Sequence, residues 1–194
     1  MPGVIIDIGT GDGRFVYELA KQHPDKVIIG IDPNHKSLIE KSLKIYKKKE
    51  KGGLSNALYV LAGVENLPPE LMGVANQIFI NFPWGSLLTS VAKVDETVWR
   101  NIRKLCQRGT LVDIVFGYDP ERDNDDAVAE EKLPELDDDY VKNIMLPKLK
   151  GLGFEPLSVQ LIGSTQMKDY PSSWAKKLSF GKERAIYHIR LRTV

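Results

Sequence analysis

A single cysteine, Cys106, stands in the whole chain of 194 residues. It excludes an intramolecular disulfide and any cysteine-cluster metal site, and it suits a reducing compartment. Net charge is nearly absent as well: 27 basic residues against 26 acidic ones leave +1 at pH 7. A balance of that kind does not announce a nucleic-acid binder, so the distribution of charge has to decide the question. No apolar run approaches the roughly 20 residues needed to span a bilayer, and no basic stretch leads into an apolar signal segment. These absences predict a soluble cytoplasmic protein. What is present is ordinary for a globular chain, with 42% apolar and 27% charged residues. The length predicts one domain over residues 1–194, and a monomer is the default expectation.

Hydrophobic patterning alternates between two periods. Short apolar or alternating runs at 4–8, 26–32, 57–62, 77–81, 110–116, 155–162 and 185–192 read as strands. Helical spacing covers 14–21, 37–49, 86–90, 96–105 and 139–150. The first helix places Phe15, Leu19 and Ala20 on one side. In the second, Leu38, Ile39, Leu43 and Tyr46 form the apolar stripe and lysines coat the rest. Trp99 sits within a helix and is expected in the core. Residues 119–139 are acidic and poor in apolar side chains, which marks an excursion rather than core. A second inserted segment, 163–184, is rich in aromatic and basic residues. Strands alternating with helices, then a closing hairpin, predict an α/β doubly wound, mostly parallel seven-stranded Rossmann-like sheet with an antiparallel C-terminal edge.

The first predicted strand runs into Asp7-Ile8-Gly9-Thr10-Gly11-Asp12-Gly13. A glycine-rich turn between strand and helix lets the backbone approach a ligand, and the helix offers its first N–H groups. The second strand ends in Asp32, where an acidic residue after such a turn binds ribose hydroxyls or caps the next helix. Asp7 and Asp12 discriminate between ligands. Carboxylates beside a pyrophosphate would repel it, whereas they attract the ammonium and sulfonium of S-adenosylmethionine. Asp-x-Gly-x-Gly also resembles the first motif of class I methyltransferases. At the third strand exit, Gly63-Val64-Glu65 falls where such folds meet adenine; Glu65 reads as a cofactor ligand, a loop orienter or a solvated carboxylate.

The fourth strand ends in Asn81-Phe82-Pro83-Trp84-Gly85. This resembles the Asn-Pro-Pro-aromatic motif of enzymes that methylate exocyclic base nitrogens. Pro83 stiffens the loop, and Trp84 reads either as packing or as a stacking platform for a flat substrate. Later, Trp174 stands among Lys168, Lys176, Lys177, Lys182 and Arg184. Basic side chains around an aromatic suit a phosphate backbone with an unstacked base; a solvated helix face around a buried tryptophan is the alternative.

Gly-Thr-Gly-Asp-Gly-Arg, Lys-Gly-Gly-Leu-Ser-Asn, Phe-Pro-Trp-Gly and Trp-Ala-Lys-Lys-Leu-Ser-Phe-Gly-Lys, in that order, resemble the aminoglycoside-resistance 16S rRNA methyltransferases of the Kam/Npm type. The resemblance runs from Val4 to Arg192. It implies methylation of N1 of the decoding-site adenine in the assembled small subunit, with S-adenosylmethionine as cofactor. It implies that Asp7, Gly9, Thr10, Gly11, Asp32, Pro33, Gly63, Val64 and Glu65 line the cofactor pocket, with Asn81 beside it and Ser172 closing it. Trp84 and Trp174 would sandwich the flipped adenine, and Phe82 and Pro83 would shape the pocket near the transferred methyl. Lys168, Lys176, Lys177, Lys182 and Arg184 would grip rRNA phosphates. Two departures stand out. The chain begins almost at its first strand, where the family carries an N-terminal extension with a β-hairpin. Asn81 replaces an expected apolar residue and could donate to the target base. A methyltransferase for another RNA or base nitrogen, and a truncated domain that binds cofactor or RNA without turnover, are the competing readings.

Overall fold

The computed structural model describes residues 3–118, 133–162 and 185–194. The elements run β1 (Val4–Ile8), α1 (Arg14–Gln22), β2 (Val27–Asp32), α2 (His35–Ile45), β3 (Ala57–Leu61), β4 (Ala75–Asn81), α3 (Gly85–Lys93), α4 (Glu96–Leu105) and β5 (Cys106–Phe116). A short α5 (Asp138–Tyr140) passes through a wide π-type turn, Val141–Met145, into α6 (Leu146–Gly151). Pro147 lies in the first turn of α6. It lacks an N–H, and a widened turn just before it accommodates the missing donor within one helical stretch. β6 (Phe154–Leu161) and β7 (Tyr187–Thr193) close the chain.

The seven strands form one sheet in the order β3-β2-β1-β4-β5-β7-β6. The pairs from β3 through β5 are parallel, while β7 lies antiparallel to both β5 and β6. This is the predicted doubly wound sheet with an antiparallel edge. Strands β1–β5 have apolar residues on both faces because helices cover both. Alternation along β1 shows it: Ile5 joins Val16, Tyr17, Ala20 and Ile45 on one face, and Ile6 and Ile8 join the larger core on the other. Trp99 lies in that larger core, fully buried and edge-on to Phe154 at 5.2 Å, as its helical position predicts. Strand order reverses between β1 and β4, and a crevice opens there at the carboxyl ends of the strands.

Two helices differ from their sequence pattern. α2 ends at Ile45 rather than at Lys49, and it buries only Leu38 and Ile45. Leu43 is 64% and Tyr46 82% exposed, and Ile39 is half exposed. α2 packs at the β3 edge of the sheet, so its outer flank has no strand to meet. The helix is stopped by the turn that follows, where Gly53 and Leu54 donate to the carbonyls of Lys48 and Ile45. A Cβ on Gly53 would lie 1.6 Å from the Lys47 carbonyl oxygen, so that turn closes only on glycine. In α1 the buried residues are Val16, Tyr17 and Ala20; Phe15 turns instead toward the crevice, edge-on to Phe79 at 5.1 Å. Among the described residues no helix is long and apolar enough to cross a membrane.

Candidate active site

The crevice between β1 and β4 holds a cavity of about 500 Å³, lined by Asp7, Gly9, Thr10, Gly11, Asp32, Pro33, Asn81, Phe82 and Trp84 among others. A smaller recess of about 40 Å³ adjoins it. Gly63, Val64 and Glu65 line that recess and share Gly9, Pro33, Ser86 and Leu87 with the main cavity. Residues from four separate strand ends, those of β1, β2, β3 and β4, therefore converge on one cleft.

The glycine turn is held from below and from the side. Gly9 and Thr10 both donate to the Ile31 carbonyl, at 2.9 and 3.1 Å. The Gly11 N–H donates to Asp32 Oδ2 at 2.8 Å, and Asp32 Oδ1 accepts from the Asn34 N–H at 2.8 Å. Asp32 thus ties two loops together. The helix cap considered for it belongs to Asn34, whose side chain accepts from the Lys36 and Ser37 N–H groups. Gly9 has φ +73°, and a Cβ there would stand 2.6 Å from the Leu87 side chain. At Gly9 the turn therefore passes with no side chain, leaving that space to a ligand.

The charges of this cleft have one sign. Asp7, Asp12 and Asp32 line it, and among its described lining residues there is no lysine, arginine or histidine. Burial pushes the Asp7 carboxyl up to about 7; the Thr10 hydroxyl and the Asn81 amide draw it partly back, and the neighbouring Asp32 adds repulsion. Buried carboxylates with no basic partner among the described lining residues fit a cationic ligand such as the ammonium and sulfonium of S-adenosylmethionine.

The opposite wall is built from β4 and its exit. Phe82 has φ +49°, a left-handed conformation that costs a non-glycine residue about 1–2 kcal/mol. Two contacts hold it there. Its N–H donates to the Val115 carbonyl at 2.7 Å, and its ring packs with Val115 and Ile186. This sharp bend, followed by the buried Pro83, turns the chain so that Trp84 emerges at the start of α3, 44% exposed and facing the cavity. The strain at Phe82 is invisible in the sequence, since it depends on a contact 33 residues away.

Asp12 lines the cavity as its place in the turn suggests, and Phe15, Asn34, Ser37, Ser86 and Leu87 also line it without having been singled out. Ser172, Trp174, Lys168, Lys176, Lys177, Lys182 and Arg184 lie outside the described residues. A second buried polar group stands apart from the cavity. Asp113 on β5 accepts from His188 Nε2, Arg190 Nε and Gln77 Nε2 at 2.9, 2.9 and 3.1 Å. These partners hold its carboxyl below the usual range despite its burial.

A doubly wound sheet with an antiparallel β7, a carboxylate-lined glycine turn at the switch point and a proline-aromatic loop after β4 defines a class I methyltransferase. Residues 1–193 match the family model NpmA: 16S rRNA (adenine(1408)-N(1))-methyltransferase, and the chain belongs to that family. A 16S rRNA (adenine(1408)-N(1))-methyltransferase of Escherichia coli is 36% identical over 187 residues, covering 96% of this chain and 85% of the relative. Among solved structures, the aminoglycoside resistance methyltransferase NpmB1 superposes with a TM-score of 0.81 at 38% identity, covering 99% and 87% of the two chains. A W203A mutant of the 16S rRNA (adenine(1408)-N(1))-methyltransferase from Catenulisporales acidiphilia, solved with the cosubstrate SAM, superposes with a TM-score of 0.86 at 29% identity, covering 99% and 86%.

Proposed function

We propose that this chain transfers the methyl group of S-adenosylmethionine to N1 of adenine 1408 of 16S rRNA in the small ribosomal subunit, and so confers aminoglycoside resistance. It acts as a cytoplasmic monomer. The observation that carries the reading is the pairing of two unlike walls in one cleft. One bears Asp7 and Asp32, and the other presents a half-exposed Trp84 on a strained loop.

S-adenosylmethionine supplies an electrophilic methyl group on a sulfonium. The protein does the rest by placement. Asp7, above the space left by the glycine turn, holds the methionine end, Asp32 the ribose, and Gly63, Val64 and Glu65 the adenine recess. Trp84 stacks on the flipped target base, with Trp174 on its other face and Ser172 at the rim. Stacking is worth about 1–3 kcal/mol per base, of the order of the cost of flipping. Phe82 and Pro83 fix where the stacked ring lies. Adenine N1 carries an in-plane lone pair and is unprotonated at neutral pH, so no side chain has to remove a proton before attack. Rate enhancement then rests on proximity and alignment, and the cationic product gains from the indole face. Lys168, Lys176, Lys177, Lys182 and Arg184 hold rRNA phosphates.

The test is incubation with small subunits and labelled S-adenosylmethionine, followed by primer extension. A stop at adenine 1408 is expected, because N1 methylation blocks pairing. The second reading, transfer to a different base nitrogen, draws on the amide of Asn81 at the end of β4. It predicts label without that stop. Cofactor binding with no incorporated label would mean a binding domain without turnover.

A further inference from the structure

Asn81 occupies a position that the site does not explain by packing. It ends β4 and is buried, and its Nδ2 donates to Asp7 Oδ1 at 3.2 Å. The register explains the contact. Asp7 pairs with Phe79, so Asn81, two residues further on, lies on the same face of the sheet and one step nearer the carboxyl edge. Both side chains line the main cavity.

The groups around Asp7 make that amide consequential. From β2 comes Asp32, from β3 Tyr59, and from the glycine turn Asp12, each anionic or acidic. No basic side chain lines the cavity among the described residues. A buried carboxylate surrounded in this way takes up a proton unless a donor opposes it. Neutral donors oppose it from two sides, the Thr10 hydroxyl of the glycine turn and the Asn81 amide at the end of β4.

We propose that Asn81 is a positioning residue for the cofactor, whose amide favours the ionised Asp7 carboxylate and directs it at the cavity, so that S-adenosylmethionine binds at neutral pH. The inference rests on the reading that Asp7 meets the methionine ammonium. Its sign follows from linkage. A cationic ligand binds the ionised carboxylate, so affinity is full above the Asp7 value of about 7 and falls as pH drops through it. Losing a donor to the charged form moves that fall to higher pH.

The experiment is calorimetric titration of S-adenosylmethionine into the wild-type chain, Asn81→Leu, Asn81→Gln and Asp7→Asn, between about pH 5.5 and 8.5. Asn81→Leu should share the wild-type plateau at high pH, with the fall displaced upward by about one pH unit and affinity about tenfold weaker below neutrality. Asn81→Gln, which keeps the amide, should return the midpoint toward wild type. Asp7→Asn should bind weakly and lose the pH dependence. Asn81→Ala, which cannot overfill the site, gives the same comparison if the leucine variant fails to fold. An equal loss at every pH, or an unmoved midpoint, would overturn the proposal by showing that Asn81 only packs. Failure of the wild-type chain to bind at any pH would instead overturn the cofactor reading beneath it.

Discussion

Trp84→Ala isolates the substrate half of the site. The indole is 44% exposed and stands at the cavity rather than in the core. Its backbone is extended, at φ −130° and ψ 160°, which alanine adopts freely, and its side chain makes no capping bond to α3. The Leu88 N–H donates to its main-chain carbonyl, which the substitution keeps. More than half of the residue is covered, so folding should lose about 1–2 kcal/mol, less than at a core tryptophan. What is lost is one stacking face for the target base, about 1–3 kcal/mol. At about 1.36 kcal/mol per tenfold, kcat/KM for methyl transfer should fall by about 5- to 150-fold. S-adenosylmethionine affinity should hold, because the carboxylates of the opposite wall are untouched. The assay pairs tritium transfer to small subunits with calorimetry of the cofactor, and Trp84→Phe should recover much of the rate. Transfer within twofold of wild type would refute the stacking role. A parallel loss of cofactor affinity would make the indole a wall of the cofactor pocket instead.

Three further predictions address the rest of the frame. Asp32→Ala removes the acceptor for both the Gly11 and Asn34 N–H groups; with about 1.5–3 kcal/mol for a charged hydrogen bond, calorimetry should show cofactor affinity falling about 10- to 150-fold, and unchanged affinity would leave Asp32 a purely local tie. Trp99→Ala empties the larger core against Phe154 and should cost about 3–5 kcal/mol in denaturant unfolding, so an unmoved midpoint would contradict the packing described. Asp113→Asn should lower stability at neutral pH by removing the anion shared by His188 and Arg190. Since the folded carboxyl sits below its ordinary value, its contribution is full above the usual carboxylate range and is lost as pH falls through the depressed value. Melting curves of mutant and wild type should therefore converge in acid, and a constant gap would refute the linkage.

How much of this was legible in the sequence depended on how local each cause is. The strands were readable because β1, β2 and β4 are buried on both faces and come between turn residues. The acidic wall of the cleft was readable because its glycines and carboxylates sit within a few residues of strand ends, where this topology opens a crevice. The stripe on α2 misled for a physical reason. Apolar spacing says which side chains are greasy, not whether a neighbour exists, and at the β3 edge Leu43 and Tyr46 have none to bury them. The Asp113 cluster joins residues 75 and 77 positions apart through the register of β5 with β7. No pattern along the chain announces such a cluster. The same holds for Phe82, whose strained φ is sustained by Val115 on β5.

The charge of the cleft has a consequence for how the two substrates divide it. The chain is almost neutral, yet the described lining of the main cavity is acidic and contains no basic residue. An RNA phosphate entering there would meet Asp7, Asp12 and Asp32 at short range in a partly desolvated space, where repulsion is poorly screened. A cation gains from the same field, and a neutral base is largely indifferent to it. The cavity therefore admits the sulfonium ligand and the face of an unstacked base while refusing the backbone that carries the base. On electrostatic grounds the sugar and phosphates of the target nucleotide should stay outside this cleft, with only the ring reaching in beside Trp84. On this argument, a lysine introduced at Asp12 should weaken S-adenosylmethionine binding more than it weakens docking of the small subunit. Equal losses in the two titrations would show that the cleft does not sort its ligands by charge.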